Sequence, residues 1–96
     1  MMKFKDIEFK PFLDGVSTKL NFGHLSLSIV KHSGSYGSNQ GLYEIAMFNE
    51  NDDMIEVPGI TNEGDTVKGW LTESDVTNVL EQLHTKTGTN PVYVTD

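Results

Sequence analysis

Cysteine and arginine are both absent from this 96-residue chain, and each absence excludes a class of chemistry. Without cysteine there can be no disulfide bond and no thiolate metal site. Without arginine, and with seven lysines against fourteen acids, the chain lacks the clustered basic side chains that contact nucleic-acid phosphates. We therefore expect a protein suited to a reducing compartment, and we do not expect direct nucleic-acid binding.

Long apolar runs are also missing. No stretch reaches the roughly 18 consecutive apolar residues of a transmembrane helix. The basic segment Met1–Lys5 is not followed by the apolar run that a signal peptide requires. These two absences predict no membrane partner and a cytoplasmic location.

What the chain does contain is enough apolar sequence for one small core. Hydrophobic residues make up 36% of the chain, a proportion typical of a folded protein rather than a disordered one. The length suits one domain and not two. We expect a single α+β domain over residues 1–88, followed by a C-terminal tail over residues 89–96.

Alternation of apolar and polar residues predicts several β-strands. The run from Val16 to Phe22 alternates strictly, and a second alternating run begins at Leu25 after a short break containing Gly23. Two such runs around a glycine-containing break are typical of a β-hairpin. Leu42–Phe48 predicts a further strand that is central and buried on both faces. Met54–Val57 suggests a shorter strand.

One helix is predicted near the C-terminus, from about Glu73 to Thr87. Thr72 and Asp75 have the spacing of a capping box, and Gly88 is well placed to end the helix. Apolar residues then recur at helical spacing, namely Val76, Val79, Leu80 and Leu83. We expect Trp70 to pack near Val76 and join the helix to the sheet, and residues 65–70 to add a short preceding helical turn.

Together these elements predict an α+β fold. It is an antiparallel β-meander of about four strands with one C-terminal helix packed on one face. The core is expected to combine residues of the three main strands with the helical stripe, namely Leu20, Phe22, Leu27, Ile29, Tyr43, Ile45, Met47, Val76, Val79, Leu80 and Leu83.

The glycine- and serine-rich segment Lys31–Gly41 is the leading candidate for a binding loop. It is longer than most hairpin connections, and long loops often carry function. It lacks the Gly-Lys-Ser/Thr ending of a P-loop and leads into a strand, so a phosphate site is the weaker interpretation. Tyr36 is the leading contact residue, and the other candidate binding residues are His32, Ser35, Asn39, Asp52 and Asp53.

Catalytic, metal and cofactor sites are not expected. His24, His32 and His84 show no metal-ligand spacing. The segment Asn49–Asp53 lacks the sixth-position glycine and the twelfth-position carboxylate of a calcium loop. The chain has no nucleophile elbow, and a domain this small has little volume for a deep pocket. We therefore predict a protein that is not an enzyme.

Charge is distributed unevenly along the chain. The formal charge of −7 divides into +2 over residues 1–42 and −9 over residues 43–96. The acidic half can be interpreted as a solvated surface that favours solubility, or as a mimic of a nucleic-acid backbone. The solvated surface is the preferred interpretation because charge alone rarely specifies a function.

Three stretches together resemble a group of short proteins encoded by tailed bacteriophages, most of them without assigned function. They are residues 21–30 (NFGHLSLSIV), the Ser-Tyr-Gly loop 35–37 with Gly-Leu-Tyr-Glu-Ile-Ala at 41–46, and residues 69–76 (GWLTESDV). The resemblance runs from about residue 3 to residue 84. It implies a phage accessory protein acting in the infected bacterial cell.

The resulting functional hypothesis is an accessory protein that binds a host or phage protein stoichiometrically. A minor structural or assembly component, with a homo-oligomer as one form, is the first alternative. An acidic decoy that occupies the nucleic-acid site of a host defence or replication protein is the second.

Overall fold

The computed structural model describes residues 1–95, so the last residue of the predicted tail, Asp96, lies outside it. The fold is α+β, with one antiparallel sheet and one helix. Two 3-10 turns, Phe4–Asp6 and Ser38–Gln40, accompany seven regular elements. These are β1 (Lys10–Phe12), β2 (Gly15–Asn21), β3 (Leu25–Lys31), β4 (Tyr43–Asn49), β5 (Val67–Leu71), α1 (Glu73–Thr87) and β6 (Val92–Tyr93).

The sheet is a meander in the order β1-β2-β3-β4-β5, and β6 also pairs with β2. All five neighbouring pairs are antiparallel. Strands β1 and β6 share one edge of β2, because β1 pairs with Gly15–Ser17 and β6 pairs with Leu20–Asn21. The predicted tail therefore contributes a two-residue strand to the sheet.

Side-chain alternation places the core on one face of the sheet. Thr18 pairs with Ile29, which pairs with Ile45, and all three are buried. The opposite face of β4 is only half-buried, at Glu44, Ala46 and Phe48. The prediction that this strand lies inside the sheet is right, since β4 pairs with β3 and β5. Burial of both of its faces is wrong, because its outward side chains remain partly exposed.

The helix packs its predicted stripe into that core. Thr72 Oγ1 accepts from the Asp75 N–H at 3.0 Å, and Asp75 Oδ2 accepts from the Thr72 N–H at 2.9 Å. Gly88 ends the helix with a left-handed φ of 71°. All eleven predicted core residues are buried, and four further ones join them: Leu25, Val57, Ile60 and Leu71.

Two sequence predictions between β4 and α1 are wrong. Met54–Val57 forms no strand, because only Met54 makes an isolated bridge, to Phe48. Residues 65–70 do not form a helical turn, since Val67–Leu71 is the edge strand β5. Pairing with β4 satisfies the backbone of this short segment, whereas one turn of helix leaves most of its polar groups without partners.

Candidate functional site

The candidate site is an exposed aromatic pair, Tyr36 and Trp70, at one end of the sheet. The ring centroids lie 5.3 Å apart with an interplanar angle of 14°, a stacked arrangement. Tyr36 is 55% exposed and Trp70 is 54% exposed. Trp70 therefore stacks on the β3–β4 loop and is exposed, so the prediction that it joins the helix to the sheet by packing near Val76 is wrong.

A β-bulge explains why Trp70 points out of the core. Tyr43 pairs with Leu71 while Ile45 pairs with Lys68, so Gly69 and Trp70 together oppose the single residue Glu44. Such a bulge re-aims a side chain and is common next to functional sites. It turns Trp70 outwards between Gly69 and Leu71, both of which are buried.

The bulge holds Trp70 in a strained conformation. Its φ is +56°, in the left-handed region that glycine normally occupies. For other residues this region costs about 1–2 kcal/mol. Gly69, directly before it, has no free space for a side chain, because a Cβ there would lie 2.4 Å from the Tyr36 Cβ. Gly69 therefore allows the β3–β4 loop to pack closely against β5, and Trp70 adopts the strained left-handed conformation.

Backbone hydrogen bonds clamp Tyr36 on both sides. Its N–H donates to Glu44 Oε1 at 2.8 Å, and its carbonyl accepts from the Trp70 N–H at 3.2 Å. Gly37, the next residue, has a left-handed φ of +95°, and a Cβ at this position would lie 3.0 Å from the Trp70 Cα. The backbone of Tyr36 is thus fixed while its ring remains half-exposed. Because the backbone is already ordered, Tyr36 loses less conformational entropy when it binds a partner.

The rest of the predicted loop site has mainly internal contacts. Ser35 is buried, and its hydroxyl accepts from the His32 N–H at 3.0 Å and donates to the His32 carbonyl at 2.9 Å. His32 Nδ1 accepts from the Gly34 N–H at 3.0 Å, and its ring meets Phe12 edge-on at 5.3 Å. Asn39 is exposed in the 3-10 turn.

The remaining two predicted binding residues, Asp52 and Asp53, lie at the other end of the sheet. They follow β4, whereas Tyr36 precedes it, and the seven residues of β4 span about 20 Å. Asp52 forms an exposed ion pair with Lys19 at 2.6 Å. The six predicted binding residues are therefore divided between two ends of the molecule.

Asp14 ties the β1–β2 turn to the loop at the aromatic end. Its Oδ1 accepts from the Ser33 N–H at 2.9 Å. This hydrogen bond, together with one from the Ser33 hydroxyl, lowers the pKa of Asp14 below its ordinary value. Next to it Leu13 is 77% exposed with φ +54°, so it combines exposure and left-handed backbone as Trp70 does.

The sequence contains one signal that points to the exposed tryptophan. A glycine inside a strand pattern indicates a bulge or a close approach of another backbone, and Gly69 does both. Nothing comparable marks Leu13. Its exposure depends on the tight β1–β2 connection, in which Phe12 pairs with Gly15.

Neither a metal site nor a membrane-spanning helix is found within residues 1–95. No three histidine or carboxylate side chains in that range are grouped for metal binding. In the same range no helix is both long and apolar enough to cross a bilayer.

Comparisons with known proteins return nothing similar to this chain. No family model, no curated protein sequence and no solved structure gives a significant match.

Proposed function

We propose that this chain is a small phage-encoded accessory protein that acts by stoichiometric binding to a host or phage protein in the infected bacterial cell. The phage origin in this proposal rests on the resemblance of three sequence stretches. The binding function rests on the site.

The observation that carries the proposal is the exposed Tyr36–Trp70 pair, in which Trp70 has a strained, left-handed backbone. Tryptophan and tyrosine are the residue types most enriched at interface hot spots. Burying such rings inside the protein would stabilise it, yet both remain about half-exposed. Left-handed backbone at a non-glycine residue persists where the surrounding structure enforces it, and it clusters at functional sites.

The acidic-decoy alternative receives less support, because several acids have local structural partners. Asp75 caps α1, Glu56 accepts from the Gly64 N–H at 2.7 Å, and Asp52 pairs with Lys19. These hydrogen bonds and this ion pair stabilise local structure, so the acids have a structural role that does not require a partner protein.

Affinity capture from infected bacteria tests the proposal. Tagged wild type is compared with Trp70→Asn, which keeps a residue type that tolerates left-handed backbone. Met54→Asn is the matched control, because Met54 is 49% exposed and follows the opposite end of β4. We expect wild type and control to retain the same protein while Trp70→Asn loses it. Equal capture by all three proteins would contradict the proposed surface.

A further inference from the structure

Three carboxylates lie next to the exposed Tyr36–Trp70 stack. Glu44 accepts a hydrogen bond from the Tyr36 N–H at 2.8 Å, so its carboxylate lies against the loop side of the stack. Glu73 and Asp75 belong to the first turn of α1, which begins three residues after Trp70. Of these two, Glu73 is exposed and Asp75 is half-buried. An exposed aromatic surface flanked by carboxylates favours a positively charged partner.

Two positive contributions oppose these carboxylates without cancelling them. Hydrogen bonds from Thr72 lower the pKa of Asp75, and the nearby charge of Lys68 lowers it further. The N-terminus of α1 adds about half a positive charge, which leaves an excess of about one and a half negative charges around the stack. The wider surroundings have the same sign, because residues 50–81 contain nine acids and one base.

Resting on the proposed function, we infer that the partner protein presents an arginine from a basic segment, whose guanidinium stacks on Trp70 beside the flanking carboxylates. A cation over an aromatic face is attracted by the ring quadrupole, and tryptophan is the best such ring. Arginine makes this contact more often than lysine does. Its planar guanidinium can stack on a ring and still donate hydrogen bonds to a carboxylate.

The chain makes two contacts of this kind within its own fold. Lys19 Nζ lies 4.1 Å from the centroid of the Phe48 ring, and Lys31 Nζ lies 4.8 Å from the centroid of the Tyr43 ring. Both distances are inside the limit of about 6 Å for a cation–π interaction. Trp70, at 54% exposure, offers a partner a larger ring than either of these.

A recess of about 290 Å³ adjoins the tryptophan. Trp70 and Asp75 both border it, and Leu71 and Val79 contribute apolar lining. Lys68 lines it as well, so we place the guanidinium at the rim, on Trp70 and near Asp75. Arginine can pack its methylene groups on apolar surface while its charged head stays in water. Small-molecule pockets measure roughly 300–1,000 Å³, so this smaller recess suits a single side chain of a protein partner.

The same charges disfavour other partners. A nucleic acid or a phosphorylated segment would bring further negative charge to the carboxylates. A second copy of this chain carries a charge of −7 and presents the same carboxylates. A neutral apolar segment would cover the two rings but would remove water from the neighbouring carboxylates without supplying a counter-charge.

Titration of the full chain with three synthetic peptides tests the inference. The peptides are glycine-spaced and carry arginine, lysine or citrulline, the last being an uncharged isostere of arginine. Trp70 is the single tryptophan, so its emission reports binding at the site. We expect the arginine peptide to change this emission and to bind more tightly than the lysine peptide, and the citrulline peptide to have no effect. Binding of the arginine peptide should weaken as salt is added.

Three variants, compared by isothermal titration calorimetry, locate the binding. Trp70→Asn should weaken binding of the arginine peptide about fivefold or more through loss of the cation–π contact. Glu73→Gln should weaken it about two- to fivefold, the effect of one exposed ion pair. Glu50→Gln is the matched control, since it removes the same charge at the opposite end of β4, about 20 Å away, and should bind as wild type does. All three positions are exposed, and asparagine tolerates the left-handed backbone of position 70.

Several results would overturn the inference. One is equal binding of the arginine and citrulline peptides, and another is an arginine peptide that leaves Trp70 emission unchanged. Equal losses for Glu73→Gln and Glu50→Gln would also overturn it, because they would show attraction to the acidic surface as a whole. If Trp70→Asn loses a captured protein while the arginine peptide does not bind wild type, the proposed function stands and only the arginine contact is wrong.

Discussion

Replacing Gly69 with alanine adds one methyl group where β5 passes the β3–β4 loop. The new Cβ would lie 2.4 Å from the Tyr36 Cβ and 3.1 Å from the Tyr36 carbonyl oxygen. Carbon atoms pack at about 3.5–4.0 Å, so the loop and the bulge must separate by at least about 1 Å. Tyr36 cannot move alone, because its N–H and carbonyl are hydrogen-bonded to Glu44 and Trp70.

The expected loss of stability follows from that clash. Overpacking of this kind costs about 1–3 kcal/mol. Alanine recovers about 0.4–1 kcal/mol by restricting the unfolded chain, because Gly69 does not have a positive φ. We therefore expect a net loss of about 1–2 kcal/mol, with a fall in melting temperature of about 4–8 °C for each kcal/mol.

Urea unfolding followed by far-ultraviolet circular dichroism measures the global change, and tryptophan emission measures the local one. Trp70 is the single tryptophan of the chain, so its emission reports the site directly. Gly34→Ala is the matched control, since its added Cβ meets only the end of the His32 ring, at 3.0 Å. If Gly69→Ala is as stable as Gly34→Ala and has unchanged emission, the close approach of loop and strand is refuted.

Three further predictions concern the scaffold. Leu80→Ala should lower the free energy of unfolding by about 2–5 kcal/mol in urea titrations, because Leu80 is 1% exposed within the core. Hydrogen bonds from the Thr72 backbone and hydroxyl lower the pKa of Asp75 below its ordinary value of 3.8. The carboxylate therefore stabilises the fold above about pH 4, so the destabilisation by Asp75→Asn should be full at pH 7 and shrink as the pH falls below about 4. Tyr93→Phe should speed hydrogen exchange at the Glu8 amide, whose N–H donates to the Tyr93 hydroxyl at 2.8 Å.

The sequence by itself determined the elements whose signals are local. The helix could be predicted because its cap, its apolar stripe and its terminal glycine all lie within residues 72–88. Strands β2 and β3 could be predicted because alternation assigns each residue to a face without knowledge of the partner strand. The long β3–β4 loop and Tyr36 could be selected because loop length and residue type are visible in the chain.

The tertiary structure alone decided the features that depend on contacts between distant residues. Val67–Leu71 is a strand because β4 satisfies its backbone, and its five residues are too few to distinguish strand from helix by pattern. Trp70 is exposed because the bulge opposite Glu44 turns its side chain outwards. The residue before it, Gly69, is in close contact with Tyr36, which lies 34 positions before Trp70 in the sequence. Leu13 joins the same surface only when the meander brings its turn beside that loop.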